Sequence, residues 1–276
     1  MSLRINTNVA SINAQRNLSN TTMKLNKSLE RLSSGLRINR AGDDAAGLAI
    51  SENLKSDIRA YEQSARNAAD GISMVQVAEG AMAEVSDILI RMRELAQQAA
   101  NETLGASERG YLDDEFQALE SEINRISEFT EFNGTDLLDG TDTAAREIQV
   151  GLDATDVITI DFTNDVDSTG LGINSDVLTG ADNTNASAAI ANIEAAISDL
   201  SSYRAGFGAS QNRLESAIRS VNNAVENLSA ANSRIRDVDI AAETSSMTSS
   251  QILQQAGVSV LMQANMTPQM ALMLLQ

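Results

Sequence analysis

The sequence predicts a mainly α fold: a long antiparallel helical bundle or coiled coil from both termini, with a small β-hairpin element in the middle. Three observations predict it. Apolar residues recur at spacings of three and four near both ends, and at every seventh position through residues 193–235. The 276 residues include one proline, Pro268, which suits long helices because an interior proline costs about 3 kcal/mol. Between about residues 147 and 162 the apolar period changes to two, which indicates a hairpin.

The first helix is predicted from about residue 5 to residue 36. Its leucine stripe, with Thr22 filling one gap, is Leu18, Leu25, Leu29, Leu32 and Leu36. Residues 40–44 break the pattern, and Asp43 or Asp44 can cap the next helix by placing a carboxylate at its positive end. That second helix is very long, and its apolar stripe is Ile58, Tyr61, Ala65, Ala68, Ile72, Val75, Ala78, Met82, Val85, Leu89, Met92, Ala96 and Ala99.

A turn at residues 101–105 precedes a shorter helix. Its apolar face is Leu112, Phe116, Leu119, Ile123 and Ile126. Asn133-Gly134 and Asp139-Gly140 are strong turn dipeptides. After the hairpin, residues 164–185 are rich in Asp, Asn, Ser, Thr and Gly and show no sustained period, which predicts a loop-like surface segment.

A heptad helix and a terminal helix complete the chain. The every-seventh row of the first is Ile193, Leu200, Phe207, Leu214, Val221, Leu228 and Ile235, and Arg204, Gln211 and Asn232 interrupt the matching row of isoleucines and valines. The predicted stripe of the terminal helix is Leu253, Ala256, Val260, Ala264 and Leu274. Chain ends are usually polar, and apolar stripes there need a partner. We therefore interpret the chain as a protein that becomes fully ordered only in an assembly.

Composition excludes several function classes. The chain contains neither Cys nor His, so a Ser-His-Asp triad, a Cys-His pair, a Cys/His zinc site and disulfides are impossible. No catalytic, cofactor or metal site is predicted. With 38 acidic against 20 basic residues and no basic run, nucleic-acid binding is not expected. The sequence contains no run of about 18 apolar residues, so membrane insertion is not expected. The first residues lack a secretory h-region, which alone suggests the cytoplasm but leaves signal-independent export open.

Several continuous motifs are more specific than the heptads. They are SLERLSSGLRIN (28–39), AGDDAAGLAISE (41–52), RNAADGIS (66–73), RELAQQA (93–99), FNG (132–134), QNRLE (211–215), SRIRD (233–237), ILQQAG (252–257) and QAN (263–265). Together, in this order, they closely resemble bacterial flagellin over roughly the first 140 residues and the last 90.

The resemblance implies a structural subunit that self-assembles into the helical flagellar filament for swimming motility. It implies an extracellular location, reached without a cleaved signal peptide by the flagellar secretion route. By resemblance, residues 1–42 form the N-terminal helix of the inner filament core and pair with residues 238–276. Residues 43–237 form the outer core of long helices, with the hairpin and a short variable surface segment (about 164–187). Because the variable middle spans only about residues 141–187, the chain resembles a short, core-only flagellin.

The resemblance also implies partners and sites. The expected subunit-packing residues are Leu18, Leu25, Leu29, Leu32, Leu253, Val260 and Leu274. The expected partners are other copies of the chain, an export chaperone at the C-terminal helix, and the filament cap and hook-junction proteins. Arg91 and Leu95, four residues apart on one helix, and Glu115 match the surface that Toll-like receptor 5 recognises in the family. Subunit packing is the primary interpretation of that surface, and receptor binding is a host's use of it.

Other interpretations were weighed against this one. A hook–filament junction protein shares similar termini, but the unbroken motif over residues 28–52 favours the filament subunit. An intracellular coiled-coil adaptor or a carboxylate enzyme gains nothing from the motifs, since heptads alone do not name a function. Residues 165–176 loosely match a calcium loop, but the loop ends in Asp176 rather than Glu, so we interpret it as an acidic surface turn. The pairs Asp43-Asp44 and Asp113-Asp114 are predicted to be helix caps and solvated faces.

Overall fold

The computed structural model describes residues 7–140, 145–180 and 183–273, and in those ranges it contains five helices and two antiparallel hairpins. The helices are α1 (Val9–Ser34), α2 (Ala45–Ala99), α3 (Ala106–Phe129), α4 (Thr184–Arg236) and α5 (Ile240–Met273). The first hairpin pairs β1 (Glu131–Phe132) with β2 (Thr135–Asp136), and the second pairs β3 (Arg146–Gln149) with β4 (Val157–Ile160). The predicted mainly α fold with a central hairpin is confirmed.

Local sequence signals fix the ends of the first two helices. The Asn8 side chain accepts a hydrogen bond from the Ser11 N–H and caps α1. Gly35 ends α1 two residues earlier than predicted, because it adopts the left-handed conformation (φ 72°) that glycine tolerates at a C-cap. Of the two aspartates predicted as caps for α2, Asp44 takes that role: its Oδ1 accepts the Gly47 N–H at 2.9 Å.

Asp43 instead holds the preceding turn. Its Oδ2 accepts the backbone N–H groups of Asn39 and Arg40, and its Oδ1 lies 2.7 Å from Lys27 Nζ. The hydrogen bond from Lys27 is the main reason that the pKa of Asp43 is lowered to about 2. The turn between α1 and α2 is therefore tied back to α1.

The chain divides into two compact units, one formed by Met1–Ser56 with Asn227–Gln276 and the other by Asp57–Glu226. In the first unit, α1 packs against α5. The end of α1 is bonded to the joint between α4 and α5: the Arg37 N–H donates to the Arg236 carbonyl at 2.6 Å, and the Val238 N–H donates to the Gly35 carbonyl at 3.0 Å.

The second unit contains the large apolar core. Most of the predicted stripe of α2 is confirmed, since Ile58, Tyr61, Ala65 and Ile72 are partly buried and the other members are fully buried, namely Ala68, Val75, Ala78, Met82, Val85, Leu89, Met92, Ala96 and Ala99. The predicted row of α4 is also buried at Ile193, Leu200, Phe207, Leu214 and Val221. Ion pairs join Arg93 to Glu194 and Glu79 to Arg204. Because these partners run in opposite order, α2 and α4 are antiparallel.

The second hairpin, predicted at about residues 147–162, packs onto this helix pair. A side chain at Gly71 of α2 would put its Cβ 3.2 Å from Ile148 and 3.4 Å from Leu214, so glycine permits a close approach of the hairpin. Phe162, just after β4, lies with its ring 5.0 Å from that of Phe207 on α4. The first hairpin forms around Asn133-Gly134, where both residues have positive φ, as a tight two-residue turn requires.

The segment after the hairpins corrects a prediction. Residues 165–180, here called the 165–180 segment, do not form a loop on the surface. Their buried apolar members are Val166, Leu171, Ile173 and Leu178, and all belong to the core. These residues lie in turns rather than a regular element, so their spacing has no period that a sequence pattern could reveal.

Side chains of α3 form hydrogen bonds with the backbone of the 165–180 segment. Asn124 Oδ1 accepts the Ser168 N–H at 2.8 Å, and Asp113 Oδ1 accepts the Leu178 N–H at 2.6 Å. The prediction that Asp113 lies on a solvated face is therefore wrong. The buried Arg109 guanidinium donates to the carbonyls of Ala99 and Gly180, which ties the end of α2 to the end of the segment.

Candidate assembly surfaces

The interface between α1 and α5 is narrow and rich in small and polar residues. Among the described residues, the hydrogen bonds and ion pairs that cross it include those from Asn8 to Ala264 (2.8 Å), from Gln254 to Thr22 (3.4 Å) and from Arg31 to Glu243 (3.4 Å). Since the N-terminal end of α1 meets the C-terminal part of α5, the two helices are antiparallel.

Heptad spacing is visible in the less exposed residues on both sides of this interface. On α1 they are Ser11, Ala14, Leu18, Thr21, Leu25, Ser28 and Leu32. On α5 they are Glu243, Met247, Ser250, Gln254, Gly257, Leu261 and Ala264. Gly257 lies under Leu18, and a Cβ there would come within 3.3 Å of the Leu18 Cδ1 atom. Small residues thus allow the two helices to approach closely.

The predicted packing residues separate into two groups. Leu18, Leu25 and Leu32 lie at the α1–α5 interface. Leu29, Leu253 and Val260 are exposed, at 46%, 60% and 55%. Leu274 lies outside the described residues.

The prediction that the apolar stripe of α5 contacts α1 is therefore wrong at Leu253 and Val260, and it is confirmed at Ala264. The apolar pattern did not predict contacts at Ser250, Gln254 and Gly257, because apolar residues occur on most sides of α5 and the face that contacts α1 is its more polar one. The signal that could have identified this face is the regular spacing of its small and polar residues.

Most of the described apolar side chains of α5 are exposed to solvent in the single chain. Those that are exposed include Ile252, Leu253, Val258, Val260, Met262 and Met266, all between 42% and 61%. They lie on the flanks of the face that contacts α1 and on the opposite side of the helix, and no charged residue occurs from Thr244 to the end of the sequence. A helix that is apolar on several sides is normally buried by surrounding structure. We call the exposed apolar residues of α5 the α5 surface.

A second surface lies in the other unit, where α2 and α3 present a charged cluster. Arg91 Nη2 lies 2.8 Å from Glu115 Oε1, and Arg91 Nη1 lies 3.0 Å from Glu94 Oε2. The hydrogen bond with Glu115, more than that with Glu94, raises the pKa of Arg91. All three side chains are about half exposed, so water screens the pairs and they contribute little to folding stability.

Leu95 does not belong to this surface, which corrects the prediction that it shares a face with Arg91. Leu95 is 1% exposed and packs in the core beside Met92 and Ala96. Four residues turn a helix by about 40° beyond a full circle. Arg91 lies at the edge of the apolar stripe, and that rotation places Leu95 inside it.

The described residues offer neither a membrane span nor a metal site. No helix among them is long and apolar enough to cross a membrane. Within the same ranges, no three Asp, Glu, His or Cys side chains are arranged to hold a metal ion. In the segment that loosely matches a calcium loop, Asp165 and Asp167 accept backbone N–H groups of their own turns.

Comparison with known proteins matches nearly the whole chain to one family. The model of the bacterial flagellin N-terminal helical region matches residues 5–143, and that of the C-terminal helical region matches residues 190–275. A flagellin of Halalkalibacterium halodurans is 48% identical over 274 residues, which are 99% of each chain. The flagellar filament 33 kDa core protein of Treponema phagedenis is 42% identical, again over 99% of each chain.

A solved structure agrees with these matches. The crystal structure of Bacillus cereus flagellin superposes with a TM-score of 0.51 at 34% identity, over 60% of this chain and 94% of that one. The family models, the full-length relatives and the shared helical fold lead to one conclusion. The chain belongs to the bacterial flagellin family.

Proposed function

We propose that the protein is a structural subunit, without catalytic activity, of the extracellular flagellar filament that drives swimming. The α5 surface carries this proposal. It is a long, uncharged apolar surface that α1 leaves exposed, because α1 covers just one side of α5, and neighbouring copies in a polymer would cover it. The filament name of the Treponema phagedenis relative supports this function over that of a junction protein or an intracellular adaptor.

Within such a filament, residues 1–42 and 238–276 form the inner core, and residues 43–237 form the outer core. The antiparallel pairing of α1 with α5 supports this division. So does the grouping of both chain ends into one compact unit, although that unit also takes in the first residues of α2 and the last residues of α4.

The packing residues then have two roles. Leu18, Leu25 and Leu32 hold α1 to α5 within one subunit, because they lie at that interface. Leu29, Leu253 and Val260 contact neighbouring subunits, because they are exposed in the single chain. Leu274, which lies outside the described residues, is proposed as a further subunit contact.

The same exposed residues explain the need for other partners. An export chaperone binds the C-terminal helix and covers the α5 surface before secretion by the flagellar route without a cleaved signal peptide. The filament cap and the hook-junction proteins bind the ends of the assembled filament. Family membership supports each of these partners.

The substitution Leu253→Asp is expected to abolish seeded polymerisation. It places a charge on the α5 surface, where assembly would bury it without a partner, and burying an unpaired charge costs several kcal/mol. Because Leu253 is 60% exposed, the monomer should keep its circular dichroism spectrum. Electron microscopy and sedimentation after seeding measure the result.

The matched control is Ser187→Asp, which places the same charge at an exposed position in the first turn of α4. A carboxylate there is compatible with the helix dipole, so this variant should fold and polymerise. Normal filaments from Leu253→Asp would show that the α5 surface is not buried by neighbouring copies.

A second experiment tests the surface formed by Arg91 and Glu115. Arg91→Ala should weaken activation of Toll-like receptor 5 by the monomer in reporter cells, because the exposed guanidinium is the cationic centre of that cluster. The control Arg125→Ala removes another exposed arginine, which pairs with Glu122 on its own helix, and it should leave activation unchanged. Equal loss in both variants would argue against a specific role for this surface.

A further inference from the structure

Two carboxyl groups of the second unit are buried where the 165–180 segment meets α3. Glu120 of α3 is 8% exposed, and Asp176 of the segment is 7% exposed. Asn192 of α4 donates to Asp176 Oδ1 at 2.8 Å, and Gln117 of α3 donates to the Asp176 carbonyl at 2.9 Å. The other carboxylate oxygen of Asp176, Oδ2, is buried without a hydrogen-bond partner among the described residues.

Burial shifts the titration of both groups in the same direction. It raises the pKa of Asp176, and the hydrogen bond from Asn192 opposes this rise. It also raises the pKa of Glu120, which a hydrogen bond with Ser168 opposes and the nearby charge of Asp176 increases. The two groups therefore repel each other when both are ionised, and desolvation disfavours each charge separately.

Other charged groups on the packed elements are engaged elsewhere. Asp113 binds the Leu178 N–H, Asp167 binds the N–H groups of Thr169 and Gly170, Arg109 binds backbone carbonyls including that of Gly180, and Glu194 pairs with Arg93 of α2. None of these charges contributes to the shift in the pKa of Glu120 or Asp176. Asp165, at the start of the segment, titrates in the same direction as the pair, because burial raises its pKa too. The pair is thus without a compensating cation in the described part of the chain.

We propose that Glu120 and Asp176 form a proton-linked latch, in which proton uptake by the pair tightens the 165–180 segment against α3 and α4, and proton loss loosens it. The geometry supports a latch because the two carboxyl groups lie on opposite sides of this contact. Opening the segment would expose both to water.

The direction of the pH dependence follows from linkage. With the segment open, both groups titrate near their ordinary range of about pH 4. With the segment docked, their pKa values are higher, so the docked state binds more protons. The added stability is fully present below the ordinary range and is lost as pH rises through the raised pKa values. Each carboxyl group changes the opening equilibrium by at most about tenfold per pH unit.

Hydrogen exchange of the soluble monomer between pH 4.5 and 8 tests the latch. The reporters are the amides of Val166 and Ile173, which donate to the carbonyls of Leu138 and Ser168. After correction for intrinsic exchange rates, their protection should fall about tenfold or more as pH rises. The amides of Val85 and Leu89 in α2 serve as internal references for global stability.

Variants assign this dependence to the pair. The double variant Glu120→Gln/Asp176→Asn should show a clearly smaller slope than the wild type and higher protection at pH 8. The slope that remains is that of Asp165, whose pKa is also raised by burial. Asp114→Asn removes an exposed carboxylate from the same helix and should keep the wild-type slope. If the double variant does not fold, the proposal is tested by the wild-type profile and by the single variant Asp176→Asn. The single variant should reduce the slope of protection against pH.

Three outcomes would overturn the proposal. One is a flat wild-type profile, and another is an unchanged slope in the variants that remove the pair. The third is calcium at pH 7.5 restoring the full protection seen at acidic pH, because the pair would then be a cation site rather than a proton latch.

Discussion

Replacing residues 165–178 by a Gly/Ser linker of equal length is expected to unfold the second unit or lower its free energy of unfolding by about 6–12 kcal/mol. The replacement removes four buried apolar side chains, Val166, Leu171, Ile173 and Leu178, each worth about 1.5–3 kcal/mol. That loss is comparable to the whole stability of a typical domain, about 5–15 kcal/mol. Urea unfolding followed by circular dichroism measures it.

A linker of the same composition at residues 153–155, in the exposed turn of the second hairpin, is the control and should cost little. The opposite result is a variant with residues 165–178 replaced that unfolds cooperatively at wild-type stability and still polymerises. That result would show that the segment is dispensable, as its polar composition suggests. The structure predicts the opposite, because the segment covers part of the core.

The second large effect separates folding from assembly. Leu214→Ala should destabilise the monomer by about 2–5 kcal/mol, because Leu214 is fully buried on α4 and its loss leaves a cavity. Leu253→Ala should change monomer stability by less than about 0.5 kcal/mol, since that side chain is 60% exposed. It should nevertheless slow seeded polymerisation.

The two variants carry the same chemical change on two helices, so thermal melts of the monomers compare them directly. Equal shifts in Tm would contradict the distinction between a buried core on α4 and an assembly surface on α5. A normal polymerisation rate for Leu253→Ala would contradict the role of the α5 surface.

The sequence allowed the long helices to be predicted because their cores repeat. In α2 and α4 a single apolar stripe faces the bundle, so spacings of three and four identify the buried residues from Ala68 to Ala99 and from Ile193 to Val221. The Asp44 cap and the Asn133-Gly134 turn were also visible, since each depends on local chemistry alone.

Other features depend on contacts that no local pattern encodes. In α5 apolar residues surround the helix, so periodicity could not show that Ser250 and Gly257, rather than Leu253, face α1. The burial of the 165–180 segment depends on α3 side chains far away in sequence, such as Asn124 and Asp113. Arg91 and Leu95 are neighbours on one helix, but only the packed structure shows where the edge of the core passes between them.

The small residues between α1 and α5 have a thermodynamic consequence for growth. Between Leu18, Leu25 and Leu32 the interface contains small residues such as Ser28, Ser250 and Gly257, and each of these buries less apolar area than a leucine would. We expect the binding of other copies to add to the stability of this helix pair, and mass action makes that added part depend on the concentration of subunits. The helix pair should therefore become more stable as the supply of free subunits rises, and each newly docked copy should stabilise the site to which the next one binds.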